Sequence, residues 1–252
     1  MTTRFFCLLI LLVALPASAQ DAVLRADRML DIRSGHLVSP AVVVIRDGRI
    51  TAINPASTPT VTDDLGDVTL VPGLIDMHTH LTGNIEADAF LRPVRETAAD
   101  QALRGAANAR PTLLAGFTTV RNLGSGGFSG AALARGVTAG YVTGPDIFDS
   151  GHSLGVTGGH CDETGWAPGI LALGPEEGVA DGVDEVVKAV RYQIKHGAKV
   201  IKTCATAGVL SFEEAVGAQQ YSDEELRAMV EEAGRHGLSG HRRCAGQSPR
   251  RH

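Results

Sequence analysis

Apolar positions along the chain first alternate and then recur at helical spacing. In AVVVIRDGRITAI two alternating apolar runs flank Asp47-Gly48, a two-residue hairpin signal. Together with AVLRADRMLDI they predict a small β layer over residues 22–55. A looser Thr-, Pro- and Asp-rich stretch, 56–67, leads into VPGLIDMHTH at 71–80, which reads as a buried strand. Beyond it the pattern alternates. Helical spacing is expected over 98–114, in AALARGVTAG, over 183–196 and from Ser222 to His236. Val186, Val187, Val190 and Ile194 form the apolar stripe of the third of these, with Gly197 as its cap. Asp223, Glu224 and Glu225 open the fourth, where acids suit the helix dipole, and Gly237 ends it. FTTVRNL, PDIFDSG and AKVIKTCAT supply strands between the helices. Strands that alternate with helices predict parallel βαβ units. Four such units and the approach to a fifth are present. An eight-unit barrel takes about 250 residues, whereas about 180 follow Val71. The pattern therefore predicts either an open α/β sheet or a barrel that stops halfway.

The end of the 71–80 strand carries the first candidate chemistry. Side chains alternate along a strand, so His78 and His80 share a face and Thr79 points away. Two neutral imidazoles that close form half of a metal site, or else a pair of hydrogen-bonded histidines at a strand end. The pair alone leaves both readings open.

The two ends of the chain differ from its middle. Arg4, an apolar run over 5–15 and Ala17-Ser18-Ala19 make a secretory signal pattern, predicting cleavage near Ala19 and a periplasmic or secreted protein. The run is too short to span a bilayer, which needs roughly 20 apolar residues. Cys7 would leave with it, and Cys161, Cys204 and Cys244 would remain. Three thiols cannot all pair internally, so no disulfide framework is expected. Cys161 and Cys204 read as small buried groups rather than nucleophiles. From Gly240 onward the chain has four arginines and no acid, which reads as a basic tail over 239–252. The whole chain carries a net charge of -5, giving no reason to expect a nucleic-acid partner.

Four segments in order, VVVIRDGRITAI with LVPGLIDMHTHL, GFTTVRNLG, SGHSLGVTGGH and GAKVIKTCATAGV, resemble the amidohydrolase superfamily in its imidazolonepropionase-like and Xaa-Pro dipeptidase-like branch. The resemblance covers roughly 22–237. It implies an α/β fold: a partial (β/α)8 TIM-like barrel of about four βα units over 71–238, after a small β-sandwich-like domain over 20–70. It implies that His78 and His80 bind a divalent metal, zinc being favoured, in a site that holds two metals in a complete family member. The family's bridging lysine, carbamylated by CO2, matches Lys202. Lys199 competes for that role but lies three residues earlier on the opposite face. His160, and less directly His152, match histidines near the substrate, with Thr157-Gly158-Gly159 letting backbone approach it. The implied reaction is metal-assisted hydrolysis of C–N amide bonds in small peptides or cyclic amides, Xaa-Pro or Xaa-Arg dipeptides among them.

The departure from the family pattern is large. The family places histidine ligands after the fifth and sixth strands and an acid/base aspartate after the eighth. Here Gly237-Leu238 runs into SGHRRCAGQSPRRH, and although His241 falls near the expected place, it is not assigned as a ligand. The expected catalytic aspartate has no counterpart. The expectation is a truncated, inactive amidohydrolase of unknown oligomeric state. The alternative is a secreted non-catalytic fragment that binds a partner or a single metal. The glycines of NLGSGGFSG do not form GxGxxG, which disfavours a nucleotide-binding sheet.

Overall fold

The structure is a computed structural model that describes residues 21–57, 59–208 and 216–238, together with the backbone of 244–246. The expected signal segment, His241 and most of the expected tail lie outside the described residues. The chain divides into two units, 1–72 and 73–252.

The first unit is all β. Strand β1 (Ala22–Ala26) is followed by β2 (Arg28–Asp31), β3 (His36–Val38), β4 (Ala41–Arg46) and β5 (Arg49–Ile53). Two short strands follow, β6 (Asp63–Asp64) and β7 (Thr69–Leu70). One sheet has the order β5-β4-β1-β6 and the other β3-β2-β7. The hairpin expected at Asp47-Gly48 joins β4 to β5, with both residues at positive φ, 49° and 70°. That pair of dihedral signs is the two-residue turn whose twist matches the flanking strands. Val23, Val42 and Val44 make the unit's small buried cluster.

The second unit alternates. Strand β8 (Leu74–Thr79) leads to α1 (Ala98–Leu114), β9 (Phe117–Asn122) to α2 (Ser129–Thr138), and β10 (Asp146–Asp149) to α3 (Gly182–Lys195). Strand β11 (Ile201–Thr203) leads to α4 (Asp223–Ala233), and β12 (Cys244–Gly246) follows. The pairings between these strands among the described residues are parallel: β8 with β9, β9 with β10, and β11 with β12. The arc is continued from β10 to β11 by Lys199 N–H donating to Asp149 O at 2.8 Å and by a parallel bridge from Leu154 to Thr203. Four βα units thus follow one another in spatial as well as chain order. A strand then lies at the fifth position, inside the segment whose composition reads as a tail.

Local chemistry explains the helix ends. Thr97 with Asp100, and Ser222 with Glu225, close reciprocal capping boxes at the starts of α1 and α4. Gly197 at φ 104° and Gly237 at φ 73° stop the chain after α3 and after the wider turn that follows α4. Helices α3 and α4 pack on the arc through Leu154, Val186, Val190, Ile201 and Met229. Leu81, Val120 and Leu133 form a second cluster under α2.

One expectation needs correcting. The strand that ends in the histidine pair is not buried: Leu74, Ile75 and Met77 are each half exposed or more. Among the described residues β8 pairs only with β9, so its far edge and one face stay open. Its apolar residues report a surface suited to burial rather than one that these neighbours cover. No helix among the described residues is long and apolar enough to cross a membrane.

Candidate active site

The candidate site gathers at the C-terminal ends of the parallel strands. His78 and His80 do share a face, although the register with β9 shifts between Asp76 and Thr79; their ring centroids are 5.4 Å apart. The end of β8 is pinned to β9 by three bonds. Leu123 N–H donates to Thr79 O at 2.8 Å, Thr79 Oγ1 donates to Arg121 O at 2.8 Å, and Leu81 N–H donates to Asn122 Oδ1 at 2.7 Å. The loop after β8 is held from α1 and the short turn before it. Asn108 donates to Leu81 O, Arg104 to Thr82 O and Arg92 to Asn84 O.

Electrostatics suit metal ligation. Burial, and then the Lys202 ammonium, hold the His78 imidazole below its usual range. Burial holds His80 low as well, with His78 and Lys202 adding to the effect and the Gly124 backbone opposing it. Both rings are therefore neutral at pH 7 and present lone pairs. Lys202, on β11, is 6% exposed, and burial lowers its pKa. Its ammonium makes no ion pair or hydrogen bond among the described residues. The competitor Lys199 is exposed.

His80, His152 and His160 line one cavity of about 590 Å³, together with Gln101, Arg104 and Glu163. The two loop histidines are held in different ways. His152 Nδ1 lies 3.1 Å from Gln193 Oε1, and its Nε2 accepts from Gly127 N–H at 3.0 Å. These partners select the Nδ1–H tautomer and occupy both ring nitrogens. Its ring also meets Phe128 edge-on, at 4.8 Å between centroids. His160 is half-buried, and its backbone N–H donates to Gln220 Oε1 at 3.2 Å. A Cβ at Gly208 would lie 2.2 Å from His160 Cε1, so the ring rests directly on that backbone.

Two features were not foreseen. Asn122 and Asp149, at the ends of β9 and β10, are buried and hydrogen-bonded to each other. The second feature corrects the expectation of unpaired thiols: Cys161 and Cys204 are joined in a disulfide, with Cα atoms 5.9 Å apart across 43 residues of sequence. An odd number of thiols rules out complete pairing, but it does not rule out one pair. The Leu154–Thr203 bridge is what brings the two segments together.

The residues present fit half of a metal site. Two neutral imidazoles are apt donors, and the buried Lys202 beside them has no counter-ion among the described residues. Among the described residues, however, no three His, Cys, Asp or Glu side chains cluster to close it.

A parallel βα arc with a histidine pair at the end of its first strand and a buried lysine on its fourth has the architecture of part of a βα barrel. The amidohydrolase family matches residues 69–247, and the chain belongs to it. Ochratoxinase from Aspergillus niger is 37% identical over 182 residues, covering 66% of this chain and 37% of that protein. A crystal structure of a Xaa-Pro dipeptidase with bound methionine superposes with a TM-score of 0.79 at 32% identity, covering 86% of this chain and 55% of the other. A prolidase complexed with N-methylphosphonate-L-proline gives 0.74 at 32% identity, over 90% and 55%. The chain thus spans about half the length of these structures.

Proposed function

We propose that the chain carries the first half of a metal-dependent amidohydrolase site, whose complete form hydrolyses C–N amide bonds in small peptides or cyclic amides. One observation carries this reading: two imidazoles with 5.4 Å between centroids lie within electrostatic reach of a buried lysine that has no acid partner among the described residues. A divalent cation held there, zinc by ligand preference, would lower the pKa of a bound water toward neutrality and polarise the scissile carbonyl.

The chain's own residues have distinct tasks. His78 and His80 supply neutral nitrogens. Lys202, kept less basic by burial, first gives up its ammonium proton and then offers the neutral amine to CO2: an N–C bond forms, a second proton leaves the nitrogen, and the former cation becomes a carboxylate-like anion. His160 faces the cavity and contacts the substrate carbonyl. His152, with both nitrogens engaged, shapes the cavity wall and reaches substrate only by giving up one of those bonds. The peptide class follows the dipeptidase and prolidase relatives. Export to the periplasm or beyond, proposed from the N-terminal pattern, agrees with a disulfide, which persists in oxidising compartments.

A second reading is favoured by the open face of β8: a non-catalytic fragment that binds a partner or one metal. Metal stoichiometry separates a complete site, which holds two metals tightly, from a half site or fragment, which holds one or none. Zinc measured after dialysis is expected at no more than one per 252-residue chain, lost in His78→Ala and His80→Ala, with little dipeptide turnover. Incubation with 13CO2 is expected to give a carbamate NMR signal absent in Lys202→Arg. Zinc binding indifferent to both histidine substitutions would refute the proposed site. Two tightly held zinc ions with rapid turnover would show that the half site is complete in this chain.

A further inference from the structure

Near the start of helix α1, the side-chain amide of Gln101 lines the cavity. Its Oε1 accepts from Gly126 N–H at 3.0 Å and from Ser129 Oγ at 3.1 Å. A backbone N–H can only donate, so the atom it meets must be the oxygen, and the amide has a single orientation. Nε2, with its two N–H groups, makes no hydrogen bond among the described residues. The glycine beside it keeps that nitrogen uncovered, since a Cβ on Gly126 would lie 2.8 Å from Nε2. The loop 124–127 ties the same wall to two histidines. A Cβ on Gly124 would lie 3.6 Å from His80 Cε1, and Gly127 N–H donates to His152 Nε2. The guanidinium groups on this wall are already matched: Arg104, one turn along α1 from Gln101, pairs with Glu96, and Arg92 pairs with Glu86. The wall therefore suits a neutral acceptor better than an anion.

We propose that Gln101 is a substrate-binding residue, whose NH2 group donates to a carbonyl oxygen of an amide held in the cavity. The oxygen end of the side chain secures the 124–127 loop, and the nitrogen end meets the ligand. A carbonyl oxygen brings lone pairs without a charge, which is the complement of a neutral NH2. That the ligand is an amide rests on the amidohydrolase reading, whereas the orientation of the donor does not.

Gln101→Glu separates the two ends of this side chain. A carboxylate still accepts from Gly126 and Ser129 but has no donor, and an acid so near the start of α1 suits the helix dipole. Gln101→Met removes both functions. The probe is N-acetyl-L-prolinamide, which is uncharged and carries two carbonyl acceptors, titrated into the 252-residue chain and followed by 1H–15N NMR. Wild type is expected to bind it with shifts centred on the amides of 124–127. Gln101→Glu should weaken binding by about tenfold, the scale of a lost hydrogen bond, while the Gly126 amide keeps its protection from hydrogen exchange. Gln101→Met should lose both the binding and the protection. Wild-type affinity in Gln101→Glu overturns the proposal, as does a wild-type chain that does not take the probe in this cavity. Loss of binding together with Gly126 protection in Gln101→Glu also overturns it, because the residue would then act through the loop alone. Zinc titration of the same samples reads the His78–His80 proposal separately. Zinc binding without probe binding sinks the Gln101 role alone, and probe binding without zinc binding sinks the metal site alone.

Discussion

Asn122 donates a 2.7 Å hydrogen bond from Nδ2 to Asp149 Oδ1, and the pair joins the ends of β9 and β10 directly beneath the histidine strand. Asn122 Oδ1 accepts the N–H of Leu81, the residue after His80. Asp149 also accepts from Ser125 Oγ and Gly151 N–H. Burial raises the Asp149 pKa, and these donors, Asn122 foremost, oppose that rise. In Asp149→Asn the new amide group, whichever way it turns, points an NH2 at Asn122 Nδ2 or at Gly151 N–H. Leaving a buried donor unmatched costs about 1–3 kcal/mol. Urea denaturation of Asp149→Asn is therefore expected to show a loss in that range, together with weaker zinc binding as the end of β8 loosens. A variant as stable as wild type would show that the pair is not a structural tie.

Glu232 is the other buried carboxylate with a measurable consequence. It is 1% exposed and accepts from Arg191 on α3 at 2.6 Å, from Arg235 at 2.7 Å and from His236 at 3.1 Å. The Arg191 hydrogen bond first, then those of Arg235 and His236, overcome burial and hold its pKa at about 2. A folded-state pKa below the unfolded value of 4.5 stabilises the chain above pH 4.5. That stabilisation is lost as pH falls from 4.5 through 2. Glu232→Gln should cost about 2 kcal/mol at pH 7, the scale of hydrogen bonds to charged groups. The gap from wild type, followed by urea denaturation between pH 7 and pH 2.5, should narrow as acid is added. A gap independent of pH would show that packing, not charge, is what Glu232 supplies.

Much of this organisation was legible from residue order, and the parts that were not have physical causes. Helix α3 is readable because Val186, Val190 and Ile194 recur on one face, and α4 because Ser222 and Glu225 announce its start. The shared face of His78 and His80 follows from strand alternation alone. The exposure of β8 does not, since the apolar side chains of Leu74, Ile75 and Met77 state a preference for burial without saying what covers them. The Cys161–Cys204 bridge depends on the Leu154–Thr203 pairing, a long-range register that no local pattern encodes. The Asn122–Asp149 pair escaped for a similar reason, because each residue alone looks like an ordinary polar strand end.

In the first unit, Gly48 follows Asp47 at the tip of the β4–β5 hairpin with φ at 70°. An alanine there meets the left-handed penalty of about 1–2 kcal/mol, because its Cβ crowds the neighbouring carbonyl. Gly48→Ala should lower the melting temperature of the transition that involves this unit. Gly48→Asn should lie nearer wild type, because asparagine tolerates that conformation. Equal stability of all three chains would refute the turn assignment.

Gly208 offers a direct handle on His160. A Cβ at this position would lie 2.2 Å from His160 Cε1 and 2.3 Å from Nδ1, well inside van der Waals contact, so the ring must move if an alanine is introduced. The ring is a terminal group on a loop, so it yields more readily than the backbone that follows β11. Gly208→Ala is therefore expected to shift the His160 ring resonances in a 1H–13C spectrum while leaving those of His78 and His80 in place. The cost in stability should be modest, about 1 kcal/mol, on the scale of mild overpacking. Zinc affinity should stay unchanged, since neither β8 nor Lys202 is touched. Unmoved His160 resonances would mean that the ring does not rest on this backbone, and His160 would then lose its place beside the strand that carries Lys202.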